Sequence, residues 1–556
     1  MNSKVGFSIF VFGFLFVSCT ANKKGVKSDI DNYFKENWHY LDFEKGKTYG
    51  ISLQNLYNEN TIKRNSNSVI VAVLDTQIDL NQEDLKGQIW FNLKEIPDNK
   101  IDDDKNGYID DINGWNFVGK PNGGYFSYGN FEYTRVVKNW STYFVNKNSV
   151  SLDSVVMFEE YKSAQAKLEK SIKYYDGWKK SLDFRIKHYK LVEDTINYFF
   201  PKKDYTVTKL DSLYQKHKIN DKTFKQRRDD NDLDLGALVY YKKVDLELGD
   251  KVIEDLIGPS NQFDSIINKN LNINYVDRDL IQDNPNKLEK GYGNNQLNLY
   301  KNLNYHSTVV SGTIAGNRKN NIGVKGFHDN IKIMPLSISL SGDEHDKDIA
   351  NAIYYAVDNG AKIINMSFGK EFSLEKKWVF DAFKYAEKHN VLIVHIAGND
   401  KFDIDKNPYY PNDNDYVNNK EIVGNFINVG SISKRTDSTM VSSFSNYGKV
   451  NVDIFAPGEE IYVAKPDNKY GYDSGTSLAG PMVSGTAALI WLYYPKLTVK
   501  QVKNIILESG VTIDKMVVKP GTKDVMVHFS DLCKTGKVLN TYNAFLLAKK
   551  ISKQKQ

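Results

Sequence analysis

Three short segments carry the side chains of this sequence best suited to chemistry, and each sits where an apolar run gives way to a turn. Val71-Ala72-Val73-Leu74-Asp75-Thr76 is an apolar stretch ending in a carboxylate. His306-Ser307-Thr308-Val309-Val310-Ser311-Gly312 places an imidazole at the head of a run of small residues that reads as a helix. Gly475-Thr476-Ser477-Leu478-Ala479-Gly480-Pro481 puts a hydroxyl at a turn opening another helix. An acid, an imidazole and a hydroxyl are what nucleophilic catalysis by serine requires. The hydroxyl is a poor nucleophile until a base takes its proton, and the base needs a third group to fix its tautomer. A serine at a helix start would also aim a backbone N–H and the local dipole at developing negative charge. Pro481 is expected in the first turn of that helix, where a missing N–H has no partner to lose.

A different chemistry is suggested by Asp102-Asp103-Asp104-Lys105-Asn106-Gly107-Tyr108-Ile109-Asp110-Asp111. With Asp102 as the first position, side-chain oxygens fall at Asp102, Asp104, Asn106 and Asp110. Gly107 takes the sixth position and the Tyr108 carbonyl the seventh, as in the first part of an EF-hand calcium loop. The twelfth position is Asn113, not the bidentate glutamate, so a full EF-hand is not expected. Structural Ca2+ is the expected ion, with a solvated acidic turn as the alternative. No organic cofactor is expected.

The elements that must position these groups read as short apolar runs: Val69–Leu74, Ile331–Ser339, Lys362–Phe368, Val391–Ile396 and Ile427–Ser431. Such runs are typical of buried parallel strands. Helical patterns lie between them, at Asp348–Val357 and Leu374–His389. The alternation predicts an α/β fold, a doubly wound, mainly parallel sheet with helices on both faces. From about Thr134 to Asn298 the rhythm stops. Tyr161, Ala164, Leu168, Ile172, Tyr175, Trp178 and Leu182 begin a spacing of three and four that continues to Phe199. It predicts a long amphipathic helix stopped by Pro201. The predicted organisation is a leader over 1–19, a tether and N-terminal arm over 20–66, an α/β domain over 67–118 and 300–550, and an α-helical insertion over 119–299.

The segments around Asp75, His306 and Ser477, in that chain order, resemble the subtilisin-like serine peptidase family, the subtilases. Ile364-Asn365-Met366-Ser367-Phe368-Gly369 is similar to the family's substrate-binding strand, and Ile396-Ala397-Gly398-Asn399 to the segment carrying its oxyanion asparagine. Phe444-Ser445-Asn446-Tyr447-Gly448 and Phe455-Ala456-Pro457-Gly458 resemble two turns that precede the nucleophile. The resemblance implies a serine endopeptidase acting on proteins or peptides, on a subtilisin-like fold. Ser477 would be its nucleophile, His306 its general base, Asp75 the group orienting His306, and Asn399 an oxyanion donor. It also implies that Ser367, Phe368 and Gly369 face Ile396, Ala397 and Gly398 across the pocket for the residue before the scissile bond. Neither wall offers a carboxylate, so an apolar or aromatic residue is expected there. Gln77 and Ser307 stand where the family has glycine, and Val309 replaces its second histidine. None of these removes a catalytic atom, but two lost glycines leave open a catalytically weak or inactive binding protein on the same fold.

The N-terminus adds an address. After Lys4, Val5–Val17 is an apolar run too short to span a bilayer but suited to a secretory signal. It ends at Ser18-Cys19, which resembles a bacterial lipobox. The expectation is export, lipidation of Cys19 and anchoring in the bacterial cell envelope, at the outer membrane. With lipid on Cys19, the other cysteine, Cys533, has no partner for an intrachain disulfide. The 74 basic and 69 acidic residues leave a net charge of only +5, without a basic block, so nucleic acid is not an expected partner.

Overall fold

A computed structural model describes residues 35–62, 65–144, 151, 154–249, 252–299, 303–416 and 420–554. Cys19 and the apolar leader lie outside the described residues. The chain forms two compact units, one comprising Met1–Tyr125, Ile281–Ser339 and Glu344–Gln556, the other Phe126–Leu280 and Leu340–Asp343.

The first unit is an α/β body built on one sheet. Its strands are β1 (Val69–Asp75), β2 (Trp115–Asn116), β3 (Ile331–Ser337), β4 (Ile363–Met366), β5 (Leu392–Ile396), β6 (Phe426–Ile432), β7 (Ile454–Pro457), β8 (Val511–Thr512) and β9 (Lys537–Val538). They hydrogen-bond in the order β8-β9-β7-β6-β5-β4-β1-β3-β2. All neighbours run parallel except the β8–β9 pair at one edge. The strands are apolar on both faces because both are covered. Val69, Val71 and Val73 of β1 join one core, while Ala72 and Leu74 join the other. Helices α1 (Tyr305–Ala315) and α4 (Thr476–Tyr493) contribute Val309, Val310, Met482 and Leu489 to the first core. Helices α2 (Asp346–Asp358) and α3 (Lys376–Lys388) contribute Ile349, Ile353, Val379 and Phe383 to the second. The N-terminal arm is part of this body. Trp38, Tyr40, Ile51, Leu53 and Leu56 are buried in the first core, and the Thr541 amide donates to the Ile51 carbonyl at 2.7 Å.

Residues 119–125 and 281–299, read from the sequence as insertion, cluster with this unit instead. Their attachment combines Leu297, buried in the first core, with backbone and asparagine hydrogen bonds that apolar periodicity does not report. Asn116 and Asn294 exchange backbone hydrogen bonds at 2.8 and 3.0 Å. Asn294 Nδ2 donates to the carbonyls of Lys120 and Gly124, both at 2.9 Å.

The second unit is helical. Its longest element is a helix of 45 residues, Val155–Phe199, which is capped by Phe200 directly before Pro201. Shorter helices cover Glu132–Phe144, Val207–His217, Leu235–Glu247 and Ile253–Ser265. Val192 and Ile196 of the long helix close a core with Leu210, Tyr214, Leu238 and Tyr241. Ile172 and Trp178, both on the apolar stripe read from the sequence, are 39% and 50% exposed. A helix of that length outruns the cover its shorter neighbours supply.

Candidate active site

Strand β1 ends at the sheet's carboxyl edge with Asp75, whose residue is 2% exposed. Helix α1 begins one residue before His306, so the imidazole projects from a first turn. His306 Nδ1 lies 2.8 Å from both carboxylate oxygens of Asp75, and the Thr76 amide donates to Oδ1 at 2.7 Å. Facing a carboxylate, Nδ1 carries the proton and leaves Nε2 as the basic nitrogen. Burial alone would lower the imidazole's pKa. Asp75, with help from Asp473 and Glu344, outweighs it and holds His306 above its ordinary value.

Ser477 is the second residue of α4. Pro481 is the sixth, not part of the first turn as the sequence reading expects, and a proline there removes the donor that would bond the Ser477 carbonyl four residues back. Ser367, just past β4, supplies the replacement: its Oγ donates to the Ser477 carbonyl at 3.1 Å. Ser367 is itself held by Asn365 Nδ2 at 2.9 Å, and Ser484 of α4 donates to Asn365 Oδ1 at 2.8 Å. The helix is thereby tied to β4 by a buried polar chain that sequence inspection misses. The Ser477 hydroxyl donates to the Ser367 carbonyl at 3.1 Å, so its proton must be redirected before it can pass to His306.

Asn399 lies beyond the end of β5. Its Oδ1 accepts both the amide and the hydroxyl of Thr476, each at 2.9 Å. That fixes the amide plane and commits Nδ2 to the opposite side. A Cβ built on Gly475 would stand 3.6 Å from Asn399 Nδ2, 3.7 Å from the Ser477 amide nitrogen and 3.9 Å from Ser477 Cβ. Two donors and the nucleophile candidate thus face one small space, which the missing side chain of Gly475 keeps open. Such a convergence suits an oxyanion. Thr476, absent from the sequence reading, is what orients Asn399.

The two lost glycines are accommodated without strain, since neither Gln77 nor Ser307 has a positive φ. Gln77 is buried and its Oε1 accepts the Leu299 amide at 2.9 Å, pinning the segment that leads into α1. The Ser307 amide donates to Thr76 Oγ1 at 3.2 Å. Val309 is a core residue of α1.

Ser367, Phe368 and Gly369 continue from β4, and Ile396, Ala397 and Gly398 from the end of β5, on neighbouring strands. In the acidic loop the candidates separate. Asp102 accepts the Asn106 and Gly107 amides at 3.0 and 2.8 Å, and Asn106 Oδ1 accepts the Tyr108 amide at 2.8 Å, so the first half of the loop has the expected turn. Asp110 turns away and accepts the Asn99 and Lys100 amides at 3.2 and 2.9 Å. The carboxylates that gather are Asp104 with Glu95 and Asp111, whose oxygens lie within 4.8 Å of one another. Burial pushes Asp111 up to about 6 and raises Glu95 as well. Glu95 and Asp111 are missed by a reading that counts loop positions from Asp102. The signal available was further acidic residues on either side of that loop.

The profile of the subtilase family, Peptidase S8, matches residues 66–529. The thermophilic serine proteinase of Bacillus sp. (strain AK1) is 33% identical over 189 residues, 34% of this chain and 43% of that protein. Subtilisin DY of Bacillus licheniformis is 33% identical over 213 residues, 38% of this chain and 72% of that protein. The solved structure of the prenylagaramide maturation protease PagA is 27% identical, covers 44% of this chain and 82% of that one, and has a TM-score of 0.35. The chain thus spans less than half of the length of the first of these relatives.

The raised pKa of His306 means that its imidazolium persists to higher pH than in a free histidine. The stability this pair adds is complete below the ordinary value of 6.5 and is lost as pH rises through the raised one. NMR titration of the His306 Cε1–H signal should give a midpoint above 6.5 in the unmodified chain and a lower one in Asp75→Asn. Equal midpoints would show that Asp75 is not the source of the shift.

Proposed function

The chain belongs to the subtilase family, and from that premise we propose that it is a serine endopeptidase with Ser477 as nucleophile, His306 as general base, Asp75 as the orienting acid and Asn399 as oxyanion donor. The observation that carries this reading is the contact of His306 Nδ1 with both oxygens of a buried Asp75, which leaves Nε2 free to act as base. The Ser477 hydroxyl, redirected from Ser367, gives its proton to Nε2 as Oγ attacks the scissile carbonyl. Asp75 stabilises the imidazolium without taking the proton. Negative charge on the carbonyl oxygen falls between Asn399 Nδ2 and the Ser477 amide, beside Gly475. His306 then returns the proton to the leaving amine, and water repeats the cycle on the acyl-enzyme.

Two further features belong to the proposal. Glu95, Asp104 and Asp111 are the residues we assign to a structural calcium ion. Calcium binds oxygen at about 2.3–2.6 Å, so carboxylates gathered this closely can share one ion. Calcium bound there would supply positive charge to a cluster that, among the described residues, forms no ion pair. We also propose lipidation at Cys19 and anchoring to the bacterial cell envelope, on the strength of the sequence alone.

Ser477→Ala should lose about 10⁶ of turnover on casein, the magnitude known for this change in subtilisin itself, with an unchanged melting temperature. A fluorophosphonate probe should label Ser477 in the unmodified chain. An unlabelled but folded chain would mean a binding protein with an unactivated serine. Calcium at about 100 times its dissociation constant should stabilise the chain by roughly 2.7 kcal/mol, and Asp111→Asn should abolish that response. Without the ion, ionising Asp111 destabilises the fold, so the chelated protein should gain stability as pH falls from about 6 towards 3.8. No calcium response in the unmodified chain would leave the cluster as a buried acidic turn. Cys19→Ser should move the protein from the membrane to the soluble fraction, and an unchanged distribution would refute lipid anchoring there.

A further inference from the structure

The recess beside Ser477 is narrower than its walls suggest. Ser367-Phe368-Gly369 and Ile396-Ala397-Gly398 leave the adjacent strands β4 and β5. Ser477 rests on the first segment through the Ser367 carbonyl, and Thr476 rests on Asn399, which follows the second. The gap between the two segments therefore opens next to the Ser477 hydroxyl. Gly369 and Gly398 present bare backbone to it, and one aromatic ring lies against both. A Cβ on Gly369 would stand 2.2 Å from Tyr409 Cε1, and a Cβ on Gly398 would stand 2.7 Å from the same atom. A ring in contact with both walls spans the gap.

The ring is held there by its own backbone. Lys370 and Tyr410 exchange amide-to-carbonyl hydrogen bonds at 2.8 and 2.7 Å, which locks the Tyr409 segment alongside the first wall. Asn412 Nδ2 donates to the Tyr409 carbonyl at 2.7 Å, and Tyr409 is only 9% exposed. Gly398 itself has φ +102 and packs against Asn446 Nδ2, so that wall is anchored as well. A side chain entering between the walls meets a filled space, and overfilling a packed site is resisted because its neighbours are already in contact.

We propose that Tyr409 is a specificity-determining residue: its ring occupies the recess beside Ser477 and restricts the residue before the scissile bond to glycine, alanine or serine. The proposal rests on the endopeptidase reading of Ser477. It replaces the expectation of an aromatic residue at that position with a limit on size. Substrates of this class are small-residue sequences, and cleavage after phenylalanine or leucine is excluded by volume and not by charge.

Peptides that differ only in alanine, leucine or phenylalanine before the scissile bond test this on the full chain, with rates normalised to the fraction of Ser477 labelled by a fluorophosphonate. Alanine should exceed phenylalanine in kcat/KM by at least about tenfold, a discrimination that a single misplaced methylene can already give. Tyr409→Gly should raise the phenylalanine-to-alanine ratio by at least about tenfold. If that variant does not fold, Tyr409→Leu should raise the same ratio by a smaller factor, and an unchanged ratio in a folded variant overturns the proposal. A preference of the unmodified chain for phenylalanine, with Ser477 labelled, overturns it too while leaving the endopeptidase reading intact. Failure of Ser477 to label removes that reading, and the proposal with it.

Discussion

Helix α4 is buried along nearly its whole length, yet its sixth residue is a proline, and the seating of Ser477 follows from how that defect is mended. A buried carbonyl without a donor costs about as much as a lost hydrogen bond. The Ser477 carbonyl is that orphan, and Ser367 Oγ satisfies it across the gap between helix and sheet. The repair does more than satisfy an atom. It sets the first turn of α4 against the carboxyl ends of β4 and β5, where the Ser367 carbonyl and Asn399 lie. Gly480 allows the approach, since a Cβ there would come within 2.8 Å of Ile396 Cγ2. The serine is therefore positioned by backbone and buried side chains that take no part in the chemistry.

Two groups of buried carboxylates in the α/β unit contrast with each other. Asp75 accepts hydrogen bonds from an imidazole and a backbone amide, and its carboxylate lies against His306. Glu95 and Asp111 are surrounded partly by each other and by Asp104, and burial raises both. Asp111 does receive hydrogen bonds from the Tyr355 hydroxyl, from Asn106 at 2.9 Å and from Asn92 at 3.0 Å, but these do not offset its removal from water. The difference between the two places lies in the neighbours, an imidazole beside Asp75 and two further acids beside Asp111.

Departures from the family pattern are absorbed by new contacts, not by strain. Gln77 fills the space a glycine would leave and uses its amide to hold Leu299, upstream of α1. Ser307 sits inside α1, where helical geometry needs no glycine. Tyr409 works in the opposite sense, since it needs glycine at both 369 and 398 to make room for its ring. The glycines that matter are those whose missing side chains let a distant residue in.

How much could be read in advance follows from the range of each interaction. The α/β class and five of the nine strands, β1, β3, β4, β5 and β6, were legible, because buried parallel strands leave unbroken apolar runs, and so was the placing of Asp75, His306 and Ser477 at element ends. The long helix ending before Pro201 was legible for the same local reason. The unit boundary near residues 119–125 and 281–299 was not, since asparagine side chains binding distant carbonyls leave no periodicity. Thr476 orienting Asn399, Ser367 replacing the donor lost at Pro481, Glu95 and Asp111 joining Asp104, and Tyr409 closing a recess were likewise invisible. By itself the sequence determined which side chains could react and which elements would carry them. Only the tertiary structure decided which amide, carbonyl or ring came to rest against them, because those contacts join positions from several to more than a hundred residues apart and are set by packing, not by local pattern.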